Sequence, residues 1–508
     1  MTSPETTGTG PPEGAWQRIS PLAVVFFMLR GLRALGSQFV YLIPPLFVAR
    51  NQIGERLGAF LWLVALLPVL GTFWCGLVWL RYRYRVGPDR IEIRSGVLFR
   101  KQTHVPFDRI QNIHIEQPLY FRLFGYCSLR LDTAGSSQGE AHLVAIRLDR
   151  ARELRANLLE TKKPIRAPEE DLDEEREVVL NRRSLGDLTV HGLTNNRIWL
   201  FVGVLVPFLQ RIGDAIPSYL KESGVDFQLP TSAMDQSRVA LALTAVGFAV
   251  LVISGLLLFS IMGSILTYYG YTLSRAGGRY CCRAGLLTKK EFGMPTRRLQ
   301  SIHYRQSWLD LVLGRVNLLL KQNSSGLPEP PGVEKSDQLL VPSVTPDEAW
   351  DLIADAMPDS AMRNIDFHAP SKRLINRYSL WAIWPALACV ASVVIALPLV
   401  VSLGCLALAI LVVVVSWLRW RRWGYAFDDE FIYIRRGLIG VEYLCFERYK
   451  LQQIGYASSP FLRRHRSLNL QFVLASESIY LPYVDRSTIA PLVDRSLYQV
   501  ESSGRSWM

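Results

Sequence analysis

Five stretches of about twenty or more mostly apolar residues divide the chain, and three long polar segments with short alternating patterns lie between them. A bilayer core takes about 20 helical residues. The clearest candidates are Gly58 to Leu80, Val239 to Leu266 and Tyr378 to Leu418. The last is about twice one span, and Pro398 to Gly404 near its middle predicts a turn, so it reads as two helices. Pro21 to Ala49 and Asn196 to about Leu220 complete the set, interrupted by Arg30 and Arg33 and by Arg211 and Asp214 respectively. A charge at mid-bilayer costs about 3 kcal/mol on insertion scales, so these two predict shallow, tilted or partnered helices. The pattern gives about six spans in three pairs.

The first twenty residues are polar and rich in Pro, Gly and Thr, and the first apolar run is too long for a signal-peptide core, so an uncleaved anchor is expected. Lys and Arg number 20 between Arg81 and Asn195, 14 between Tyr271 and Arg373, and 13 after Leu418. The first outer loop holds Arg50 and Arg56. The second holds Arg211 and Lys221 among Asp214, Glu222, Asp226 and Asp235. Positive loops stay inside, which puts all three polar segments and both termini on the cytoplasmic side of a bacterial inner membrane.

The polar segments are one module repeated. The first contains Tyr84, Gly96-Val97-Leu98, Pro106-Phe107-Asp108-Arg109-Ile110-Gln111-Asn112-Ile113, Gln117 and Leu123-Phe124-Gly125. The second contains Tyr271, Gly285-Leu286-Leu287, Pro295-Thr296-Arg297-Arg298-Leu299-Gln300-Ser301-Ile302, Gln306 and Val312-Leu313-Gly314. The third contains Tyr425, Gly437-Leu438-Ile439 and Lys450-Leu451-Gln452-Gln453-Ile454, with Arg466 in place of the last glycine. Gly96 to Gln111, Gly285 to Gln300 and Gly437 to Gln452 are each 15 residues apart, so no gap is needed, and such agreement marks true repetition. The domains follow: a polar tail 1–20, a helix pair 21–80 and module 81–160; a charged linker 161–195, a pair 196–267 with an outer loop about 211–237 and module 268–357; then a linker 358–376, a pair 377–418 and module 419–501.

Within a module the period is two. Arg90-Ile91-Glu92-Ile93-Arg94 alternates up to Gly96, which predicts a tight turn, and Asp429 to Arg436 does so before Gly437. Ser128 to Asp132 and Ser467 to Gln471 alternate again. Arg150 to Leu159, Pro346 to Ala356 and Ser487 to Val500 predict a closing helix, the second with Thr345 as N-cap followed by Pro and two acids. Strands first and one helix last predict a small curved antiparallel sheet or barrel.

This Tyr, Gly-Leu-Leu, Pro-x-x-Arg-Ile-Gln-x-Ile and apolar-x-Gly pattern resembles the bacterial pleckstrin-homology (PH) domain of the second type, once listed as a domain of unknown function. The resemblance covers nearly the whole chain apart from the N-terminal tail and the outer loop. It is similar to the large member of a two-protein membrane pair in which helix pairs alternate with such domains. The resemblance implies a split β-barrel capped by a C-terminal helix, a small single-module membrane partner of the same family, and a part in envelope defence against membrane-active peptides. It does not imply phosphoinositide binding, because eukaryotic domains of that fold use a basic loop motif that is not placed in this sequence. Around Phe446-Glu447-Arg448 and at Arg466 the third copy departs from the pattern.

Composition changes little. The 508 residues are 49% hydrophobic and 20% charged, which excludes disorder, and the net charge of +13 follows from inside-positive topology without nucleic acid. Seven scattered cysteines predict reduced thiols and no metal, and no cofactor is expected. None of the seven histidines forms a metal or catalytic motif. His114 and His303 share a repeat position where the third copy has Gly455, which predicts packing or hydrogen bonding. Gly135-Ser136-Ser137-Gln138-Gly139 matches a nucleophile elbow but lies between strand-like stretches, so it reads as a hairpin turn. Cys281-Cys282 reads as two half-buried strand residues, and Pro168 to Glu175 as a solvated acidic linker rather than a docking strip.

The remaining signals are cationic. Arg81, Arg83 and Arg85, and Arg419, Arg421 and Arg422, interleave with Tyr and Trp where helices leave the bilayer, and Arg463 and Arg464 form a loop cluster. Each contributes about 1 kcal/mol of attraction to an anionic leaflet, so low-specificity lipid-headgroup contact is expected beside ordinary anchoring. Tyr84, Gly96, Arg109, Gln111, Gly125, Tyr271, Gly285, Arg298, Gln300, Gly314, Tyr425, Gly437 and Gln452 are read as structural repeat residues. The expectation is a non-enzymatic membrane scaffold, with a small same-family partner, anionic lipids and homo-oligomers as binding partners. The alternatives are an exporter component or a headgroup-binding regulator.

Overall fold

The computed structural model describes residues 16–29, 31, 57–133, 141–160, 177–194, 238–322, 338–395 and 397–502. Among them three helices are long and apolar enough to cross a membrane: Val250–Tyr268, Arg373–Val394 and Leu399–Arg422. A fourth, Leu57–Arg81, is 25 residues long, with a described apolar part at Val69–Arg81. Of the weaker candidates, Asn196 to Leu220 lies outside the described residues, as does most of Pro21 to Ala49 with Arg30 and Arg33. The turn predicted at Pro398 to Gly404 falls earlier. The preceding helix ends at Val394, Pro398 is the N-cap of Leu399–Arg422, and Gly404 lies inside that helix. Across the hairpin, Ser392 Oγ and Ser402 Oγ are 2.7 Å apart, a close approach that small residues permit.

Each module is two three-stranded antiparallel sheets joined by a single 3₁₀ turn. The first has β2 (Arg83–Val86), β3 (Arg90–Ser95) and β4 (Lys101–Pro106), then β5 (Ile110–Pro118), β6 (Tyr126–Thr133) and β7 (Ala141–Arg147). A short β1 (Gln17–Arg18) lies beside β2. The second has β9 (Thr272–Ala276), β10 (Arg279–Ala284) and β11 (Thr288–Pro295), then β12 (Leu299–Gln306), β13 (Val316–Gln322) and β14 (Gln338–Val344). Its outer strand β8 (Val178–Arg182) pairs with β9. The third has β15 (Gly424–Phe427), β16 (Phe431–Gly437) and β17 (Val441–Glu447), then β18 (Leu451–Ala457), β19 (Ser467–Leu474) and β20 (Ser478–Asp485). Helices Leu148–Glu160, Pro346–Ala356 and Arg486–Ser502 close the three copies, the second with Thr345 as the expected N-cap, in a capping box with Glu348.

The repeat residues explain themselves in this frame. Gly96 and Gly285 take φ of +101° and +111°, and a Cβ there would lie 1.9 Å from Phe99 O or 2.0 Å from Thr288 O. At Gly437 a Cβ would lie 2.1 Å from Gly440 O. No side chain fits this turn. Gln111, Gln300 and Gln452 each sit at a β-bulge that opens the second sheet, where the register shifts between Ile110 and Asn112, Leu299 and Ser301, and Leu451 and Gln453. The bulge bends the strand and splits the barrel into two sheets. The third copy keeps the 3₁₀ turn without proline. Glu447 takes the extended φ of −78° that Pro106 and Pro295 hold at −64° and −62°. Gly125 and Gly314 have φ of +70° and +61°, and Arg466 adopts +53° in their place.

Two expectations need correction. Tyr271 is not the counterpart of Tyr84 and Tyr425. Those two pair with Ile93 and Ile434, each three residues before the turn glycine, and in the second copy Leu273 pairs with Cys282 at that distance. Tyr271 instead matches Tyr82 and Trp423, all three buried where the chain enters the module. The charged linker 161–195 is also not plain linker throughout. Besides β8, its described part holds helix Leu185–Thr194, and Arg183 is buried with its guanidinium on Asn181 Oδ1 (2.6 Å), Ser343 O (3.1 Å) and Glu348 Oε2 (2.7 Å). Gly192 lies so close to Arg238–Tyr268 that a Cβ would come within 2.5 Å of Ile261 Cα. The acidic run Pro168 to Glu175 and Gly135 to Gly139 lie outside the described residues. Cys281 and Cys282 form no disulfide and are half-buried neighbours on β10.

Candidate functional site

Two features organise the molecule: one edge that lies at the ends of the apolar helices, and the seams between modules. The edge is fixed by backbone hydrogen bonds. The amides of Gly285 and Leu286 donate to Tyr269 O (2.9 Å) and Leu266 O (3.0 Å), at the end of membrane helix Arg238–Tyr268. The Gly-Leu-Leu turn therefore sits at the bilayer end of its module, and its Leu287 is exposed. Thr288 pairs with Pro118, so the short helix Leu119–Arg122 starts beside this turn, with Leu119, Leu123 and Phe124 exposed. Likewise a Cβ on Gly440 would lie 2.2 Å from Gln306 O, which sets helix Trp308–Val312 beside the third Gly-Leu-Ile turn. Trp308, Leu311 and Val312 are exposed there, as are Leu438 and Ile439. The first turn presents Leu98 and Phe99, the latter 89% exposed. Apolar groups ranged along one edge next to membrane helices are suited to the headgroup boundary, where they leave water without losing a hydrogen bond.

The arginines flank this edge unevenly. Arg81 ends helix Leu57–Arg81 and is exposed, as is Arg83, whereas Arg85 is turned inward to Glu92 (2.6 Å) and lies over the Trp16 ring. Arg419, Arg421 and Arg422 occupy the last turn of Leu399–Arg422, where the helix dipole favours cations. Arg419 covers Tyr378 and Arg421 covers Trp417, at 4.8 and 5.5 Å. Helix Pro460–Arg464 corresponds to Leu119–Arg122 and Trp308–Val312, so exposed Arg464 and His465 replace Leu123 and Phe124 in the third copy. Arg109 is exposed in its 3₁₀ turn, Arg298 is half-buried, and the side chain of Gln111 lies outside the described residues.

The seams were not legible beforehand. β5 of the first module pairs antiparallel with β11 of the second, making one sheet in the order β7-β6-β5-β11-β10-β9-β8. β12 of the second pairs with β17 of the third in the order β14-β13-β12-β17-β16-β15. Both seams use one register. Gln117 faces Lys289 as Gln306 faces Val441, Glu116 faces Lys290 as Arg305 faces Glu442, and Ile115 faces Glu291 as Tyr304 faces Tyr443. At the second of these positions the charges are opposite in both seams and exchanged between them. That pattern was readable from the sequence only once the partner strands were known.

The paired histidine position belongs to the seams. His114 stacks on Phe292 of the next module, with centroids 4.7 Å apart and 8° between planes. His303 is fully buried, with Nδ1 3.0 Å from Glu442 Oε1 and Nε2 2.6 Å from Glu477 Oε1, both carboxylates coming from the third module. Glu477 also accepts from Ser301 Oγ (2.7 Å) and Lys321 Nζ (2.6 Å), and Glu442 from Arg305 Nε and Arg436 Nε (2.7 Å each). Burial raises the Glu477 pKa, but hydrogen bonds from His303 and the charges of His303 and Lys321 outweigh it and hold the carboxyl at about 2. Glu442 is held well below the ordinary carboxylate range against the same burial, by His303 and Arg436. Burial pushes Lys321 down, with Glu477 opposing. Trp350 stacks on Tyr304 (4.9 Å) and meets Tyr443 edge-on (6.4 Å), so apolar packing crosses the seam as well. Among the described residues no group of His, Cys, Asp and Glu is placed to hold a metal ion.

A family model for the bacterial PH domain matches residues 35–162, 229–341 and 385–500. The chain belongs to the bacterial PH domain family. Its three PH domains are the modules above, each match reaching back into the apolar segment before its strands. The chain is also similar to the transmembrane protein YdbT of Bacillus subtilis (strain 168), with 23% identity over 334 residues, 61% of this chain and 63% of that protein. It thus covers less than two thirds of that relative's length. No solved structure matches the chain.

Proposed function

We propose that the chain is a non-enzymatic scaffold of the bacterial inner membrane. The observation that carries this reading is the seam: three bacterial PH domains joined edge to edge in one register, each following membrane-type helices, make a rigid multivalent surface. Six spans in three pairs, with both termini and all PH domains on the cytoplasmic side, fit the distribution of Lys and Arg. The apolar turns seat in the headgroup layer, and the Arg81, Arg419 and Arg463 clusters hold anionic lipid with low specificity. A small single-module membrane protein of the same family is the expected partner, and protection of the envelope against membrane-active peptides the expected role. Tethering to one membrane raises local concentration, so contacts that are individually weak give a stable assembly.

The test is capture of the full chain in native nanodiscs, with proteins and lipids identified by mass spectrometry. A stoichiometric small protein carrying the Gly-Leu-Leu and Arg-Ile-Gln pattern supports the scaffold. Enrichment of one anionic lipid alone turns the reading to a headgroup-binding regulator, which the exposed arginines favour. A periplasm-only reporter should be active when fused at Gly224 and silent at Met508. The opposite result overturns the orientation.

A further inference from the structure

Each seam joins the second sheet of one PH domain to the first sheet of the next. Three domains in a row make two seams and leave two ends. At one end β4 is the outer strand of the order β1-β2-β3-β4, and at the other β18 is the outer strand of β18-β19-β20. No other described strand pairs with either free edge. β4 is the counterpart of β11 and β17, and β18 of β5 and β12. The chain therefore carries both halves of its own seam, unjoined. Burial makes the point. Tyr304 is 5% exposed within the second seam, whereas Tyr456, at the same repeat position on β18, is 69% exposed. Gln452, Gln453 and Ala457 are exposed with it, as are Lys101, Gln102 and His104 on β4.

We propose that β18 of one copy pairs antiparallel with β4 of a second copy, in the register of the two internal seams, so that copies join head to tail in the membrane plane. That register sets Ala457 against Lys101, Tyr456 against Gln102, and Gly455 against Thr103. A row of unpaired backbone N–H and C=O groups is a template for another strand, and the strand it fits best is one the molecule already pairs twice in this way. The side chains permit it. β4 is basic, with Lys101 and His104, while β18 carries Gln, Ile, Gly, Tyr and Ala, so no like charges meet. Gly455 replaces the seam histidine and leaves open space, as a Cβ there would meet nothing closer than 3.8 Å. A head-to-tail contact uses two different surfaces, so each copy offers one of each and the assembly continues until it closes. This names the surface and the partner within the scaffold reading. It departs from it in requiring no other protein.

The experiment mixes two differently tagged full-length chains in one membrane, one with Gln102→Cys and one with Tyr456→Cys, and treats them with a short bismaleimide. A product carrying both tags is expected. The pair Gln102→Cys with Tyr480→Cys, on the far edge of the same sheet, should give at least fivefold less. A chain with Glu116→Cys and Lys290→Cys, opposed across the first internal seam, confirms the chemistry. The wild-type chain sets the background from its native thiols. Ala457→Glu recreates the opposite-charge pair present in both internal seams and should raise the yield about two- to fivefold, while Ala457→Arg should lower it similarly. No mixed product while the internal control reacts overturns the proposal, as does equal reaction of the Tyr480→Cys control. Cross-linking of Tyr456→Cys to a different small protein alone also overturns it, and leaves the scaffold reading standing. If copies join but nanodisc capture finds no other protein, the pairing holds and the expected small partner fails.

Discussion

Glu477 gives the sharpest test of how the second and third PH domains are held together. It lies between β19 and β20 of the third domain, yet accepts from His303, Ser301 and Lys321 of the second, at 2.6, 2.7 and 2.6 Å. His303 is wholly buried and the Glu477 side chain is 17% exposed. Glu477→Ala leaves the Nε2 of a buried imidazole and a mostly buried ammonium without their anion, while Glu442 stays on the imidazole Nδ1. Removing one partner of such a group costs about 3 to 5 kcal/mol. The depressed titration of the carboxyl puts the same contacts on the same scale. The carboxyl is held at about 2 against an ordinary 4.5, and at about 1.4 kcal/mol for each tenfold that gap corresponds to about 3 kcal/mol. Because the folded value is depressed, the contribution is complete above pH 4.5 and disappears as pH falls toward 2. The assay is hydrogen exchange of the β12 and β17 amides in nanodiscs at pH 7. Exchange should accelerate between roughly a hundredfold and a few thousandfold in the variant, with β6 unchanged. Adding Lys321→Met should recover part of the loss, because the second unpaired charge goes with it. Acceleration of less than tenfold, or strict additivity with Lys321→Met, would refute a network that holds the seam.

Other predictions follow from single observations. Gly285→Ala should make the domain protease-sensitive, costing more than about 1 kcal/mol, since its Cβ must displace Thr288 O at φ +111°; unchanged protease resistance would contradict the turn geometry. Arg466→Gly should slow unfolding of the third domain, gaining about 0.5 to 1 kcal/mol by relieving a left-handed non-glycine residue. Spin labels at Leu98→Cys and Leu287→Cys should show high oxygen and low nickel-chelate accessibility in nanodiscs, with the opposite at Tyr480→Cys; equal values would remove the membrane-facing edge. Arg421→Gln with Arg422→Gln should reduce co-purified anionic lipid, whereas Arg85→Gln should instead loosen β3, because its guanidinium is engaged by Glu92.

The sequence by itself determined the parts. Apolar runs of bilayer length, a 15-residue spacing kept in three copies and alternating strands ending in glycine are local signals, and period and turn chemistry are written along the chain. They sufficed to find the described apolar helices, the threefold PH pattern and the bulge glutamines as repeat residues. They misalign Tyr271, because the second copy has no tyrosine at the Leu273 position and Tyr271 is the nearest one. They also left 178–194 as linker, because β8 and helix Leu185–Thr194 are short and gain their stability by packing on β9 and on Arg238–Tyr268. Tertiary structure alone decided the seams. A strand edge carries no label for its partner. Whether Glu116 meets Lys290 or water depends on two segments more than 170 residues apart arriving side by side. The same physics decided the candidate site. The seam histidines, the exposed turns at the bilayer end and the unjoined edges of β4 and β18 exist only once three equal domains have been set in a row.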